Sequence, residues 1–250
     1  MDTNFIVVIP FHNARPFLSE CAQSLVNQEY KTWRAVFADD ASTDDGIREI
    51  PTDPRFTIVR SEKRLTALEN IHNTIISANP KPEDVICLLD GDDYLIRNDA
   101  LWLVASLYER QETMLTYGQY VWPNNMVGHC RPYTKETFAS LRSGGYWASH
   151  MRTFKFKLYQ EMMTQDPDLS CFKDKSGLFY RTCYDVAIMT PLMEIAGLTG
   201  IAFNPYPIYM YRQHPNNDHV VDRAGQKRAE VDIFSKRPFL RLVDNDKPKI

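Results

Sequence analysis

Three observations predict an α/β fold with a Rossmann-like, mostly parallel central sheet and helices on both faces. Short apolar runs alternate with stretches of helical periodicity through the first half of the 250 residues. The connections between them are short, and strand-helix-strand repeats of this kind wind a parallel sheet. Polar residues collect where the apolar runs end, at His12-Asn13, Asp39-Asp40 and Asp90 to Asp93. In such sheets ligands bind in the crevice outside the carboxyl ends of the strands.

The first strand is Phe5 to Ile9, and Pro10 is expected to end it by removing a ladder donor. Asn13 can cap a helix whose Phe17, Leu18, Cys21, Leu25 and Val26 share one face. Trp33 to Ala38 and Phe56 to Val59 read as the second and third strands. Thr66-Ala-Leu-Glu69 is a capping box that opens a helix carrying Leu68, Ile71, Ile75 and Ile76, which stops before Pro80. Val85 to Leu89 is apolar without alternation, as a strand covered on both faces should be. A further helix is expected from an Asn98 or Asp99 cap to about Gln111. The second half is less regular, with Met114 to Trp122 strand-like, a polar stretch from Pro123 to Gly145, and a helix from Asp185 to Ala196 ended by Gly197. One domain over 1–221 is expected, with halves at 1–113 and 114–221, and a C-terminal helix or tail over 222–250.

Composition narrows the classes of function. Hydrophobic residues are 44% and charged residues 24% of the chain, which excludes a disordered or collagen-like body. Lys plus Arg is 29 against 32 Asp plus Glu, so a net charge of −3 points to no nucleic acid partner. The five cysteines show no C-x-x-C or Cys/His ligand spacing, so a reducing, cytoplasmic setting fits best. The longest apolar runs fall far short of the ~20 residues a membrane helix needs, which makes a soluble protein without a transmembrane segment the expectation.

The residues that could carry chemistry lie at the strand ends. Asp90-Gly91-Asp92-Asp93 follows a buried strand, and carboxylates at i and i+2 on extended chain face the same way. Gly91 lets the backbone approach a ligand closely. Hard oxygen ligands of this kind suit Mg²⁺ or Mn²⁺ shared with phosphates, which predicts a nucleotide-diphosphate site. An acidic turn is the plain alternative, and its place after an apolar strand weighs against that. Asp40 is placed to accept from a base N–H or a ribose hydroxyl, whereas part of the run to Gly46 serves as a helix cap.

Ile9-Pro10-Phe11-His12-Asn13, Asp39-Asp40-Ala-Ser-Thr-Asp and Leu88-Leu89-Asp90-Gly91-Asp92-Asp93 together resemble the nucleotide-binding half of family 2 glycosyltransferases, the inverting enzymes of GT-A fold. The likeness is strongest over 4–110 and continues more loosely to about 219. It implies that Pro10, Phe11, His12 and Asn13 lie along the nucleotide, that Asp40 contacts the base, that Asp90 sits near the ribose, and that Asp92 binds a divalent metal, with Gly91 between the two acids in the nucleotide-sugar site. Arg64 and Asn70 match a region where members often carry an Asn-Gly-type stretch before an Ala-x-Asn helix. Here Glu62-Lys-Arg64 replaces it, and Arg64 is either a base or diphosphate contact or a surface arginine.

The resemblance further implies metal-dependent transfer of a sugar, from a nucleotide-diphosphate donor with UDP favoured, to a hydroxyl of a glycan, glycoprotein or other acceptor. Inversion needs a base for the acceptor hydroxyl. Asp185 is the candidate, in a segment similar to the Asp-x-Ala-x-x-x-Pro-x-x-Glu-x-x-Gly of some members. Thr182 and Cys183 stand where the commoner pattern has acids, and a helix cap is the competing role for Asp185; Glu194 is expected to be structural. The segment from Ile208 to Asp218 resembles the family's closing Tyr-Arg-x-His strand, with His214 either at the metal or a loop histidine. His150 and Arg152, on one face of a strand, and Trp147 with Tyr146 could line an acceptor pocket, although core packing accounts for most aromatics. Lys155 and Lys157 read as a solvated face. A catalytically silent nucleotide-sugar scaffold, a sugar nucleotidyltransferase and a phosphohydrolase with an Asp-x-Asp nucleophile, a motif expected after the first strand rather than the fourth, are the rivals. The second would want a Gly-rich first loop with a basic residue, which Pro10 to Asn13 does not offer.

Overall fold

The computed structural model describes residues 3–143, 146–215 and 222–242. Gly145, at the end of the polar stretch, Asn217 and Asp218 of the closing segment, and the last residues of the C-terminal tail lie outside them. Eight strands form one sheet in the order β3-β2-β1-β4-β7-β6-β8-β5. They are β1 (Phe5–Phe11), β2 (Trp33–Asp39), β3 (Phe56–Arg60), β4 (Val85–Leu88), β5 (Tyr94–Leu95), β6 (Leu115–Val121), β7 (Arg152–Lys155) and β8 (Ile201–Met210). The first four pair in parallel, as does β6 with β8, whereas β7 runs antiparallel to both β4 and β6, and β5 antiparallel to β8.

Among the described residues the α-helices are α1 (Arg15–Val26), α2 (Ala67–Ser77), α3 (Ala100–Leu107), α4 (Lys135–Ala139), α5 (Phe156–Gln165), α6 (Tyr184–Ala196) and α7 (Arg223–Ser235). Side chains alternate across a strand, and both sets of the central strands are apolar because both faces are covered. Phe5, Val7, Ile9, Val85 and Cys87 pack with Leu18, Leu25, Leu101 and Val104 of α1 and α3. Ile6, Val8, Ile86 and Leu88 pack on the other face with Leu68 and Ile71 of α2, Leu158 of α5 and Ile188 of α6.

Several expected boundaries shift for identifiable reasons. β1 runs through Pro10 to Phe11. The carbonyls of Asn4, Val8 and Pro10 accept from Val85, Leu89 and Gly91 on the β4 side, so the missing N–H of Pro10 faces that side past the last paired residue, and no ladder bond is lost. Asn13 does not cap α1, whose cap position is Ala14. It takes a left-handed conformation, φ 51°, which short polar side chains tolerate. Asp99 caps α3 by position only, its carboxylate being held by Arg97 at 2.7 Å, and the helix ends at Leu107 rather than near Gln111. Thr66 caps α2 as expected, its hydroxyl accepting from Glu69 N at 3.1 Å.

The second half holds more regular structure than its sequence pattern indicates, with β6, β7, α5, α6 and β8 all contributing to the sheet or its cover. Glu194 of α6 is structural: Arg142 binds its carboxylate at 2.5 and 2.8 Å, and Phe239 N donates to it at 2.9 Å. The residues after α7 are thereby fastened to the body, with Leu242 N donating to Ile195 O at 2.9 Å. No helix among the described residues is long and apolar enough to cross a membrane.

Candidate functional site

A cleft of about 400 Å³ opens at the carboxyl ends of β1, β2 and β4. It is lined by Pro10, Phe11, His12, Asn13, Asp40, Arg64, Asn70, Asp90, Asp92 and His214, all assigned to a site from sequence, with Phe17, Tyr184 and Tyr211 among the residues that were not. Such a volume is in the range of small-ligand sites.

Backbone bonds hold the strand ends together. Phe11 O accepts from Asp40 N at 2.9 Å, and Pro10 O accepts from Gly91 N at 3.1 Å. Asn13 Oδ1 accepts from Thr43 N at 2.8 Å, and its own N–H donates to Ser42 Oγ at 2.9 Å, so the left-handed residue joins the loops after β1 and β2. His12 Nδ1 lies 2.8 Å from Asp40 O, and Asn13 Nδ2 lies 3.2 Å from His12 Nε2. The tautomer with its proton on Nδ1 satisfies both contacts.

Asp40 is buried, and its carboxylate accepts from Leu65 N at 2.7 Å and pairs with Arg64, whose side chain remains 54% exposed. Arg64 is therefore at the cleft wall and not a detached surface group. Asn70 is buried and donates to Ala38 O at 2.9 Å, which fixes α2 to the end of β2.

Asp90 and Asp92 both face the cleft, but from a turn rather than from extended chain, since Asp93 N donates back to Asp90 O at 3.0 Å. Gly91 does not line the cleft. It is buried against β1, where an added Cβ would lie 2.7 Å from Phe11 Cβ and 3.1 Å from Pro10 O. Its lack of a side chain serves the chain's own close approach, not a ligand's. Asp90 accepts from Tyr184 Oη, and its N–H donates to Tyr209 Oη at 3.1 Å. Burial, with the neighbouring Asp92 charge adding to it against the opposing pull of Arg152, pushes the Asp90 carboxyl up to about 6. Asp93 points away and is buried, accepting from Arg212 N at 2.8 Å, and burial with the Asp92 and Asp90 charges raises it well above the carboxylate range.

Two convergences of metal-ligating groups occur around this turn. On the cleft side, His214 Nε2 lies 2.7 Å from Asp92 Oδ2, and the His214 ring stacks on Phe17 with centroids 5.0 Å apart. Behind it, ligand atoms of Asp90, Asp93 and His150 lie within 4.8 Å of one another. A carboxylate and an imidazole opening on a cleft are a fitting donor set for Mn²⁺ or Mg²⁺. The inner group fits a cation less well, because His150 is already bonded by Arg152 Nη2 at 2.8 Å, and that buried guanidinium is a cation of its own.

His150 and Arg152 do not line the cleft. His150 precedes β7 and is stacked between Tyr209 and Tyr211 at 4.4 and 5.0 Å, and burial, then the Arg152 charge, lowers its pKa well below the ordinary value. Burial works against the Arg152 charge as well, but Tyr184, Asp185 and Asp90 outweigh it and hold the guanidinium protonated. Trp147 stacks on Tyr133 at 5.1 Å with the Arg131 guanidinium 3.7 Å over its ring, so it belongs to the packing beside the site. Lys155 and Lys157 both bind Glu83 at 2.9 Å.

Asp185 lies in the first turn of α6 and is half-buried, and the cap position is Cys183, so its expected competing role as the cap does not apply. Its carbonyl accepts from Tyr146 Oη at 3.2 Å. The residue before it, Tyr184, binds Asp90, which brings the start of α6 against the acid turn. Tyr184 escaped sequence reading because it is not distinguished by spacing from its core neighbours, and Tyr211 was visible only as the first residue of the Tyr-Arg-x-His string. Arg212 was visible only as part of the Tyr-Arg-x-His string.

The family model described as Glycosyl transferase family 2 matches residues 6–173, more than half of the chain. Among solved structures, S. aureus TarS 1–349 in complex with UDP-GlcNAc is similar at 15% identity and a TM-score of 0.61, over 88% of this chain and 61% of that one. Mannosyltransferase PcManGT from Pyrobaculum calidifontis, in complex with GDP-Man and Mn²⁺, is similar at 15% identity and a TM-score of 0.59, over 94% and 64%. The chain thus spans less than two thirds of those structures' length, and at this identity the likeness is one of fold. No curated protein matches the chain.

Proposed function

The chain belongs to glycosyltransferase family 2, and on that premise we propose that it is a glycosyltransferase whose cleft binds a nucleotide-diphosphate sugar, a UDP-sugar foremost. The sugar passes with inversion to a hydroxyl of a glycan, glycoprotein or other acceptor. The observation that carries this is the convergence of Asp40, Asp90, Asp92 and His214 with the loop from Pro10 to Asn13 in one cleft. The complexes of similarly folded proteins with UDP-GlcNAc and with GDP-Man and Mn²⁺ support the ligand class.

Asp40, oriented by Leu65 N–H and Arg64, offers an acceptor to a base N–H at one end of the cleft. The loop from Pro10 to Asn13 lies along the nucleoside, and Asp90 accepts from a ribose or sugar hydroxyl. Asp92 and His214 would hold Mn²⁺ or Mg²⁺, which supplies Lewis-acid neutralisation of the departing diphosphate. Asp185 takes the proton of the acceptor hydroxyl as its oxygen attacks the anomeric carbon from the face opposite the diphosphate. Tyr184, through its bond to Asp90, keeps that base in fixed relation to the donor, so that orientation contributes to the rate.

Thermal unfolding with UDP, GDP, dTDP and CDP, each with and without Mn²⁺, tests this, since a ligand bound only by the folded state raises stability. One metal-dependent stabilisation, lost in Asp92→Ala, is expected. No stabilisation by any nucleotide contradicts the proposal.

A further inference from the structure

The segment after β8 lies across the acid turn, and Arg212 makes several of the contacts that fix it there. Arg212 N donates to the Asp93 carboxylate at 2.8 Å, and Arg212 Nη1 donates to Asp92 O at 2.7 Å. Arg212 Nη2 pairs with Glu20 of α1. The guanidinium also lies 5.2 Å over the ring of Phe17 and 4.6 Å over that of Tyr94. Its side chain is 15% exposed, and it is not part of the cleft wall.

Two residues on, His214 meets the other side of the same two groups. Its Nε2 lies 2.7 Å from Asp92 Oδ2, and its ring stacks on Phe17. Arg212 therefore holds Asp92 by the backbone and Phe17 by the ring, while His214 approaches Asp92 by the carboxylate and Phe17 by the ring. A planar fork can direct two N–H groups to separate acceptors while its face covers an aromatic ring, which an ammonium cannot do.

Resting on the function proposed above, we infer that Arg212 is a positioning residue: it sets where His214 meets the Asp92 carboxylate, and so sets divalent-metal affinity without touching metal or donor. Glu20 is its anchor on α1.

The test is Mn²⁺ binding, read from the loss of the free-ion EPR signal with UDP present, for wild type, Arg212→Met, Arg212→Lys and Glu20→Gln, with thermal unfolding of each. Arg212→Met is expected to weaken Mn²⁺ binding by about 10- to 100-fold, as loss of a ligand's support does. Arg212→Lys does not restore it, Glu20→Gln shifts it in the same direction by less, and the Arg212→Met/Glu20→Gln double variant is no weaker than Arg212→Met. Turnover at saturating Mn²⁺ recovers in Arg212→Met, so the defect lies in metal requirement rather than kcat. Wild-type Mn²⁺ affinity in folded Arg212→Met overturns the inference. If that variant does not fold, unchanged affinity in both Arg212→Lys and Glu20→Gln overturns it. Wild type that binds no Mn²⁺ with UDP overturns the proposed function itself, a separate result from normal wild-type binding with unaffected variants.

Discussion

Asp40, Asp90 and Asp92 reach the cleft from turns that follow β2 and β4, which pair in parallel with β1, whereas Tyr184, Tyr211 and His214 reach it from segments that follow β7 and β8, where the sheet is mixed. In the first region each acid is placed by short-range backbone bonds between adjacent strand ends, such as Phe11 O with Asp40 N and Pro10 O with Gly91 N. In the second region placement depends on long side chains that reach across the chain, as Tyr184 does to Asp90 and Arg212 to Asp92 and Glu20. The parallel half is the proposed donor platform. The mixed half is fitted to it by side-chain contacts, so changes there should alter chemistry and metal binding more than fold.

The sharpest separation of the halves comes from the largest effect. Asp185→Asn is expected to lower kcat by about 100- to 10,000-fold, the range of a lost general base. Nucleotide binding by calorimetry should stay unchanged; equal loss of binding would place Asp185 in the donor site and break the division. Asp92→Asn should lower transfer by about 1,000-fold, equivalent to the several kcal/mol of a Lewis acid. In this variant Mn²⁺-dependent UDP binding falls as well, while the unfolding temperature without ligand stays near wild type.

Stability effects should concentrate in the parallel half. Gly91→Ala forces a Cβ against Phe11 Cβ and Pro10 O, and overpacking of this kind costs about 1–3 kcal/mol. Urea denaturation should register that loss, and an unchanged midpoint would mean that the turn moves freely from β1. The smallest effect concerns Asp53, before β3, whose bonds to Arg55 at 2.7 and 2.9 Å lower its pKa from the ordinary 3.8 to about 2. A depressed carboxyl stabilises the fold above its unfolded value and loses that contribution as pH falls from about 4 towards 2. Wild type should therefore lose more stability than Asp53→Asn across that window in acid titration of unfolding.

The legibility of the sequence follows the same division. β1, β2, β4 and the acids behind them were readable because apolar runs covered on both faces end abruptly in polar residues, a local pattern. Pro10 and Asn13 were misassigned because their roles depend on neighbours: Pro10 on the side where β4 has ended, Asn13 on the loop carrying Thr43. The insertion of β7 between β4 and β6 could not be read, since no periodicity encodes which distant strand a segment will join. His150 and Arg152 share a face by spacing, but Tyr209 and Tyr211, some sixty residues later in the chain, decide that His150 is interior. Arg212 was legible only as a letter in a motif, because its partners Glu20 and Asp92 lie far away in sequence.

On the function proposed above, the cleft side of the acid turn, not its buried side, takes the metal. Anomalous diffraction from crystals soaked with Mn²⁺ and UDP tests it most directly. A peak at coordination distance from Asp92 and His214 is the predicted result. A peak among Asp90, Asp93 and His150, or a bound nucleotide with no peak at all, would contradict it.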